Sequence, residues 1–107
     1  MAEHERWWRE TQDARYVAES AGEDVGVLRI TRLDETTCEV HLAVAPQFRG
    51  EGYSTEMLRE GTLEAKRLGY ERIVARVDSD NTPSLRAFLR AGYGVTSPGT
   101  LLLERTL

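Results

Sequence analysis

The chain has 107 residues, a net charge of −4 and a hydrophobic fraction of 40%, which fits one globular domain over residues 1–107. Acidic residues outnumber basic ones 18 to 14 and the signs are interspersed, which argues against nucleic acid as a partner. No apolar run reaches the roughly 18 residues of a membrane helix, and residues 1–6 do not resemble a signal peptide. We therefore expect a cytoplasmic protein with no membrane partner. Cys38 is the only cysteine, which excludes an intramolecular disulfide and a multi-cysteine zinc site, and we expect no metal.

The N-terminal half predicts a helix followed by three strands. Residues 3–12 are mostly charged apart from Trp7 and Trp8, and we predict a short helix there. Alternating and β-branched residues predict three strands, at residues 15–20, 25–33 and 38–45. A change of phase at residues 27–28 indicates a β-bulge. Because the connecting turns are short, these strands should form an antiparallel meander.

The C-terminal half alternates helices and strands. A loop at residues 46–52 leads into a predicted helix that ends at Gly69. The remaining predicted elements are helices at residues 54–68 and 81–91 and strands at residues 73–77, 93–96 and 101–104. The strand–helix–strand unit around the first of these helices should be a right-handed parallel crossover. The predicted fold class is therefore α/β (α+β), with a mixed, mostly antiparallel six-stranded sheet flanked by helices.

The loop before the first of these helices has the composition of an anion site. Gly50 and Gly52 allow a tight turn and a close approach of a ligand to the backbone. The N–H groups that follow converge at a helix N-terminus, where the helix dipole favours negative charge, and Arg49 adds a phosphate donor. The alternative is an ordinary strand-to-helix loop that needs glycine for its geometry.

A wider stretch of the sequence carries a family resemblance. Residues 44–58, V-A-P-Q-F-R-G-E-G-Y-S-T-E-M-L, resemble the signature V-x-P-x-x-R-G-x-G-x-G-T-x-x-L of the GNAT superfamily of acetyl-CoA-dependent N-acetyltransferases. Residues 81–84, Phe88 and residues 91–93 resemble that family's second signature, at the expected distance. The chain is thereby identified as an N-terminally short member that lacks the family's first strand and helix.

The resemblance implies a cofactor site and a reaction. Acetyl-CoA would lie in a cleft where the third and fourth predicted strands of this chain splay apart. Its acetyl group would pass directly to a primary amine of a small molecule, an amino sugar or a protein N-terminus. The implied cofactor-binding residues are Leu42, Ala43 and Val44 for the pantetheine amides, Arg49, Gly50, Glu51, Gly52, Tyr53, Ser54 and Thr55 for the pyrophosphate, and Asn81, Ser84 and Phe88 for the pantetheine arm and thioester.

Three features depart from the family pattern. Ser54 stands where the family usually has glycine or alanine, and Phe88 stands where many relatives have a tyrosine that protonates the leaving thiolate. The missing first strand and helix normally help to wall the acceptor site. The alternative function is therefore a non-catalytic GNAT-fold protein that binds CoA or another partner.

Acetyl transfer requires an unprotonated amine, and therefore a base. Glu39 and His41 share one face of the predicted third strand, so Glu39 can take the proton and His41 can relay it. The alternative is that both lie on a solvated face and pair with Arg29 or Arg76. We expect Tyr53, Tyr93 and Cys38 to be packing residues rather than reactive groups.

The sequence also predicts a homodimer. Without a preceding strand, residues 15–20 would form a bare sheet edge, which proteins usually protect. Trp7 and Trp8 point about 100° apart on a helix, so that one of them remains available for a partner. A two-fold contact through this strand and the second tryptophan would cover both.

Overall fold

The computed structural model describes residues 8–11, 15–50, 52–78, 81–97 and 102–107. Its seven strands are β1 (Trp8–Thr11), β2 (Arg15–Ser20), β3 (Glu23–Arg32), β4 (Thr37–Val44), β5 (Arg72–Arg76), β6 (Gly94–Ser97) and β7 (Leu102–Thr106), and its helices are α1 (Tyr53–Arg67) and α2 (Thr82–Arg90). One sheet contains all seven strands, in the order β1-β2-β3-β4-β5-β7-β6. Within the described residues, no helix has both the length and the apolar character that a membrane span requires.

The predicted fold class is confirmed: the sheet is mixed and mostly antiparallel, with helices packed against it. Strands β2, β3 and β4 form the antiparallel meander, and β4 pairs with β5 in parallel across the α1 crossover. Strands β5, β7 and β6 continue the sheet with antiparallel pairs. The parallel pair matters for the site because it brings the carboxyl ends of β4 and β5 to the same edge of the sheet.

The prediction of a helix at residues 3–12 is wrong where the structure describes it. Residues 8–11 form β1, which pairs antiparallel with β2 from Trp8↔Ala18 to Thr11↔Arg15 and makes seven strands instead of six. The sequence offers little helical amphipathicity there, and backbone pairing along an open strand overrides so weak a propensity. Residues 3–7 and 12 lie outside the described residues. The predicted bare edge at β2 is therefore wrong, and the homodimer loses that support.

The predicted β-bulge is present but lies earlier in the chain. Ala18 pairs with Gly26, whereas its neighbour Glu19 pairs with Asp24, so that Val25 is the extra residue of β3. The extra residue lets Val25 and Leu28 both be fully buried although their spacing is odd. The sequence shows the change of phase but does not fix which residue leaves the ladder.

Both helices lie on one face of the sheet. Their side chains Leu58, Ala65 and Phe88 belong to the same buried cluster as Leu28 and Val40 of the sheet. Residues that alternate with these along the strands point to the opposite face, where they are exposed: Arg15, Arg29, His41 and Arg76. The sheet therefore has an apolar face under the helices and a charged face on the other side.

Candidate functional site

Strands β4 and β5 separate partway along the sheet. They pair at only three positions, from Thr37↔Arg72 to Glu39↔Val74, whereas β4 stays paired with β3 as far as Val44. The gap beyond the last pair is a cleft of about 220 Å³. Its lining residues come from β4, from the end of β5 and from α2: Val40, His41, Leu42, Arg76, Val77, Asp78, Asn81, Ser84 and Phe88. The divergence of the two strands that the family resemblance implies is thus present.

The chain leaves β4 through a loop whose backbone is open to a ligand. Gly50 and Gly52 have positive φ angles of 80° and 84°, a conformation that favours glycine. A Cβ atom added at either position would meet no atom within 4 Å. Arg49 donates from Nε to the carbonyl oxygen of Val44 at 3.2 Å, which ties the loop to the end of β4. Glu51 lies outside the described residues.

The N-terminus of α1 has no side-chain cap. Gly52 is its N-cap residue, and the first backbone bond of the helix runs from the N–H of Glu56 to the carbonyl of Gly52 at 3.3 Å. The N–H groups of Tyr53, Ser54 and Thr55 belong to the first turn, whose N–H groups have no partner within an α-helix. Together with the helix dipole, these groups attract an anion.

An apolar anchor fixes this loop in place. The rings of Phe48 and Tyr53 meet edge to face with their centroids 5.6 Å apart, so that they bracket the glycines. Both rings pack against a small buried cluster that includes Val25 and Met57. Tyr53 is therefore a packing residue, as predicted, and its ring also holds the start of α1 against the sheet.

The N-terminus of α2 is capped by its own sequence. Asn81 accepts a hydrogen bond through Oδ1 from the N–H of Ser84 at 3.3 Å. This cap occupies the amide oxygen of Asn81 and not its NH₂ group, and both residues line the cleft. One turn further along α2, Phe88 is buried, lines the cleft and stacks edge to face on Tyr93 with centroids 5.0 Å apart.

The prediction that Tyr93 and Cys38 are packing residues is confirmed. The Tyr93 hydroxyl is buried within hydrogen-bond distance, 3.0 Å, of Thr62 Oγ1, and burial raises its pKa to about 12. Cys38 is fully buried, and burial raises the pKa of its thiol to about 11. Neither residue lines the cleft, and the raised pKa of Cys38 disfavours the thiolate that a nucleophilic role would need.

Glu39 lies where β4 and β5 begin to separate. Only 8% of it is exposed, although it belongs to the charged face of the sheet. Its Oε1 is 3.8 Å from Nε2 of His41, and its Oε2 is 3.6 Å from Nε of Arg76. The structure therefore brings the predicted Glu39–His41 pair together and also forms the alternative ion pair with Arg76. Arg29 is not among the ion-pair partners of Glu39.

Comparisons with known proteins agree with this geometry. The family model described as the acetyltransferase (GNAT) family matches residues 1–93. An IAA acetyltransferase from Bacillus cereus shares 21% identity and a TM-score of 0.80, over 87% of this chain and 77% of that one. A GNAT family acetyltransferase from Elizabethkingia anophelis with acetyl-CoA bound has 23% sequence identity and a TM-score of 0.78, over 87% of this chain and 75% of that one. Mycobacterium smegmatis RimJ in complex with CoA-disulfide has 25% sequence identity and a TM-score of 0.76, over 86% of this chain and 52% of that one. No curated protein matches the sequence.

Two features of the site are not among those predicted from the sequence, and only the second of them has a pattern in the sequence. The bond from Arg49 to the Val44 carbonyl depends on how the loop folds back, which no local pattern encodes. The capping role of Asn81 has a visible pattern, since an asparagine directly before a helix commonly accepts from the N–H three residues later. The family resemblance directs attention to a ligand for Asn81 and hides this structural role.

Proposed function

Since the chain belongs to the acetyltransferase (GNAT) family, we propose that it transfers the acetyl group of acetyl-CoA directly to a primary amine. The observation that carries the proposal is the cleft between β4 and β5, with the N-terminus of α1, which has no side-chain cap, at the end of the loop that follows β4. Bound acetyl-CoA supplies an activated acyl group as a thioester. The residues of this chain bind that group, orient it and remove a proton from the amine.

The loop and the start of α1 bind the pyrophosphate. The N–H groups of residues 52–55 supply donors, and the open space above Gly50 and Gly52 admits phosphate oxygens close to the backbone. Arg49 uses Nε to bind the Val44 carbonyl, and its other guanidinium donors remain for a phosphate. This arrangement holds the ligand by backbone groups that a rigid helix and an aromatic anchor keep in place.

The separated part of β4 binds the pantetheine arm. Beyond Glu39 this strand has no pairing with β5. The N–H of Ala45 bonds to the Val25 carbonyl of β3, so by alternation the backbone of Ala43 also faces β3, whereas that of Leu42 faces the cleft. Since the Val44 carbonyl already accepts from Arg49, Leu42 is the main residue that can pair with a pantetheine amide as an added strand would. Asn81 and Ser84 contact the arm from the α2 side, and Phe88 forms the apolar end of the cleft.

Glu39 acts as the base, with His41 as a relay. His41 lines the cleft, and Glu39 lies behind it at the point where the strands separate. As the amine nitrogen bonds to the acetyl carbon, the carbon–sulfur bond breaks and the amine proton passes through His41 to Glu39.

The CoA sulfur leaves as a thiolate. Phe88 has no proton to give, and the Tyr93 hydroxyl behind it is buried against Thr62. An ordinary thiol has a pKa of about 8.5, so a thiolate is a tolerable leaving group near neutral pH. The absence of a phenolic acid is also what favours the alternative function, a fold that binds CoA without catalysis.

Two measurements made together test the proposal. Calorimetry measures acetyl-CoA binding, and a thiol reagent measures CoA release against a panel of primary amines. We expect binding, and release with at least one amine. Binding without release across the panel would favour the non-catalytic alternative, and no binding would overturn both. The cytoplasmic location and the homodimer remain predictions of the sequence.

A matched pair of variants tests the role of Glu39. We expect Glu39→Gln to lower kcat by roughly 100-fold or more and to leave acetyl-CoA affinity unchanged. The control is Glu104→Gln, because Glu104 lies in the same row of the charged face and pairs with Arg72 at 3.1 Å, outside the cleft. Equal turnover in the two variants would remove Glu39 from the mechanism.

A further inference from the structure

A second cavity opens on the charged face of the sheet. It has a volume of about 350 Å³ and lies on the side of the sheet away from the helices. Strands β2, β3 and β4 contribute its lining residues: Arg15, Val27, Arg29, His41, Leu42 and Ala43. Apolar side chains form the floor of the cavity, whereas two arginines and a histidine supply its polar groups. We call this cavity the arginine groove.

The three polar residues of the arginine groove form a row across the strands. Arg15 pairs with Arg29 in the β2–β3 register, and Arg29 pairs with His41 in the β3–β4 register. Their Cα atoms are therefore one strand spacing apart, about 5 Å, with all three side chains on one face.

The carboxylates of β4 and β7 pair with residues other than Arg29. Glu39 pairs with His41 and Arg76, and Glu104 pairs with Arg72. Among the residues that the structure describes, no carboxylate lies within ion-pair distance of Arg29. Arg29 is therefore an exposed cation in a concave site, with its planar guanidinium available for a carboxylate or phosphate.

The arginine groove meets the acetyl-CoA cleft at β4. His41 and Leu42 line both cavities, and the two cavities lie on opposite sides of the separated part of β4. A molecule in the groove therefore approaches the thioester from the face opposite to the helices, and it approaches at His41, next to Glu39. This is the position that an acceptor amine must occupy if Glu39 is the base.

We infer that the acceptor is a primary amine that carries an anionic group, a carboxylate or a phosphate. The inference rests on the proposed function. The amine lies at His41 and Glu39, while Arg29, with Arg15 beyond it, binds the anion. One to two strand spacings separate these groups, roughly 5–10 Å, which suits an ω-amino acid or an aminoalkyl phosphate. Polyamines would meet the arginines with like charge.

A matched series of amines tests this specificity. CoA release is measured with 4-aminobutanoate, 3-aminopropyl phosphate, neutral 4-aminobutanamide and cationic 1,4-diaminobutane. We expect at least a tenfold higher kcat/KM for one of the two anionic amines than for the neutral amide, and the better of the two identifies the anion. Equal or higher kcat/KM for the neutral or cationic amine would overturn the inference and leave the proposed function intact.

A pair of variants tests the residue that binds the anion. Arg29→Gln should lower kcat/KM for the preferred anionic amine tenfold or more, mainly through KM, and should leave the value for 4-aminobutanamide unchanged. The control is Arg32→Gln, three positions further along β3 and exposed, whose side chain lies on the other face. Equal losses in both variants, or a loss for the amide as well, would contradict the assignment.

A binding measurement keeps the inference testable if no amine reacts. Calorimetry measures 4-aminobutanoate and 3-aminopropyl phosphate binding to the wild-type protein and to Arg29→Gln. Failure of every amine to react would count against the proposed function. Binding that Arg29→Gln weakens at least tenfold would still support the anion site, whereas no binding, or equal binding to both proteins, would overturn it.

Discussion

The N-termini of α1 and α2 differ in how the side chain before the first turn treats its backbone donors. Helix α2 begins with Asn81, whose side chain accepts from the N–H of Ser84, so one donor of its first turn is used within the protein. Helix α1 begins with Gly52, which has no side chain to offer, so no side-chain cap bonds to its first turn. The N-terminus of α2 is stabilised by its own side chain, whereas the N-terminus of α1 is the one to which we assign the pyrophosphate.

The largest expected effect comes from closing the open end. Gly52→Val places a branched side chain in the space that a phosphate would fill, and we expect acetyl-CoA binding to weaken by roughly 100-fold or more in calorimetry. The control is Gly69→Val at the other end of α1, where φ is also positive, at 96°, and the space around a Cβ is also open. Its backbone strain is comparable, but it is far from the loop.

The pair Gly52→Ala and Gly69→Ala repeats this comparison with the smallest side chain that has a Cβ. Circular dichroism establishes that each variant is folded before binding is measured. If Gly52→Val and Gly69→Val lose affinity equally, the loss reflects general strain rather than a blocked phosphate site, and α1 is not the anion end.

A smaller effect is expected at the capped end. Asn81→Ala removes the cap of α2 and should lower the free energy of unfolding by about 1 kcal/mol. Asn81→Asp retains a capping oxygen and removes the NH₂ group that we assign to the pantetheine arm. It should keep the stability of the parent in thermal unfolding and bind acetyl-CoA roughly 3–10-fold more weakly. A stability loss in both variants with unchanged affinity would make Asn81 purely structural.

The smallest effect on acetyl-CoA affinity is expected from removing the contact that joins the two helices. Tyr93, just after α2, meets Thr62 of α1 through their hydroxyl groups. Because burial raises the Tyr93 pKa from 10.0 to about 12, its contribution to stability is complete below pH 10 and is lost as the pH rises to about 12. The slope is roughly 1 kcal/mol per pH unit over that range.

Tyr93→Phe isolates this titration. The variant should lose about 1 kcal/mol of stability near neutral pH, since one buried hydrogen bond is removed. The stability advantage of the parent should shrink above pH 10 and then reverse, because only the parent has the Tyr93 hydroxyl to ionise, whereas the Cys38 thiol ionises in both proteins. Chemical unfolding at several pH values measures this, and acetyl-CoA affinity at pH 7 should not change. Parallel pH profiles for the two proteins would contradict the cause assigned to the raised pKa.

The sequence predicts best the elements that carry strong periodicity or a motif. The alternation in β4, the glycines before α1 and the β-branched run in β5 predict three elements, and the family resemblance implies the gap between β4 and β5. It fails at β1, because backbone pairing with β2 decides that segment and its side chains contain little information about it. The arginine groove also depends on strand register, since only the register places Arg15, Arg29 and His41 in one row.

The most direct test of the difference between the two helix ends is NMR titration with 3′-phospho-ADP, the part of CoA that carries the pyrophosphate and lacks the pantetheine arm. Amide N–H signals of the ¹⁵N-labelled protein report each backbone donor separately. We predict large shifts for Gly52, Tyr53, Ser54 and Thr55 and little change for residues 82–85 of α2. Shifts centred on α2, or no shifts at α1 in the presence of bound ligand, would contradict the account.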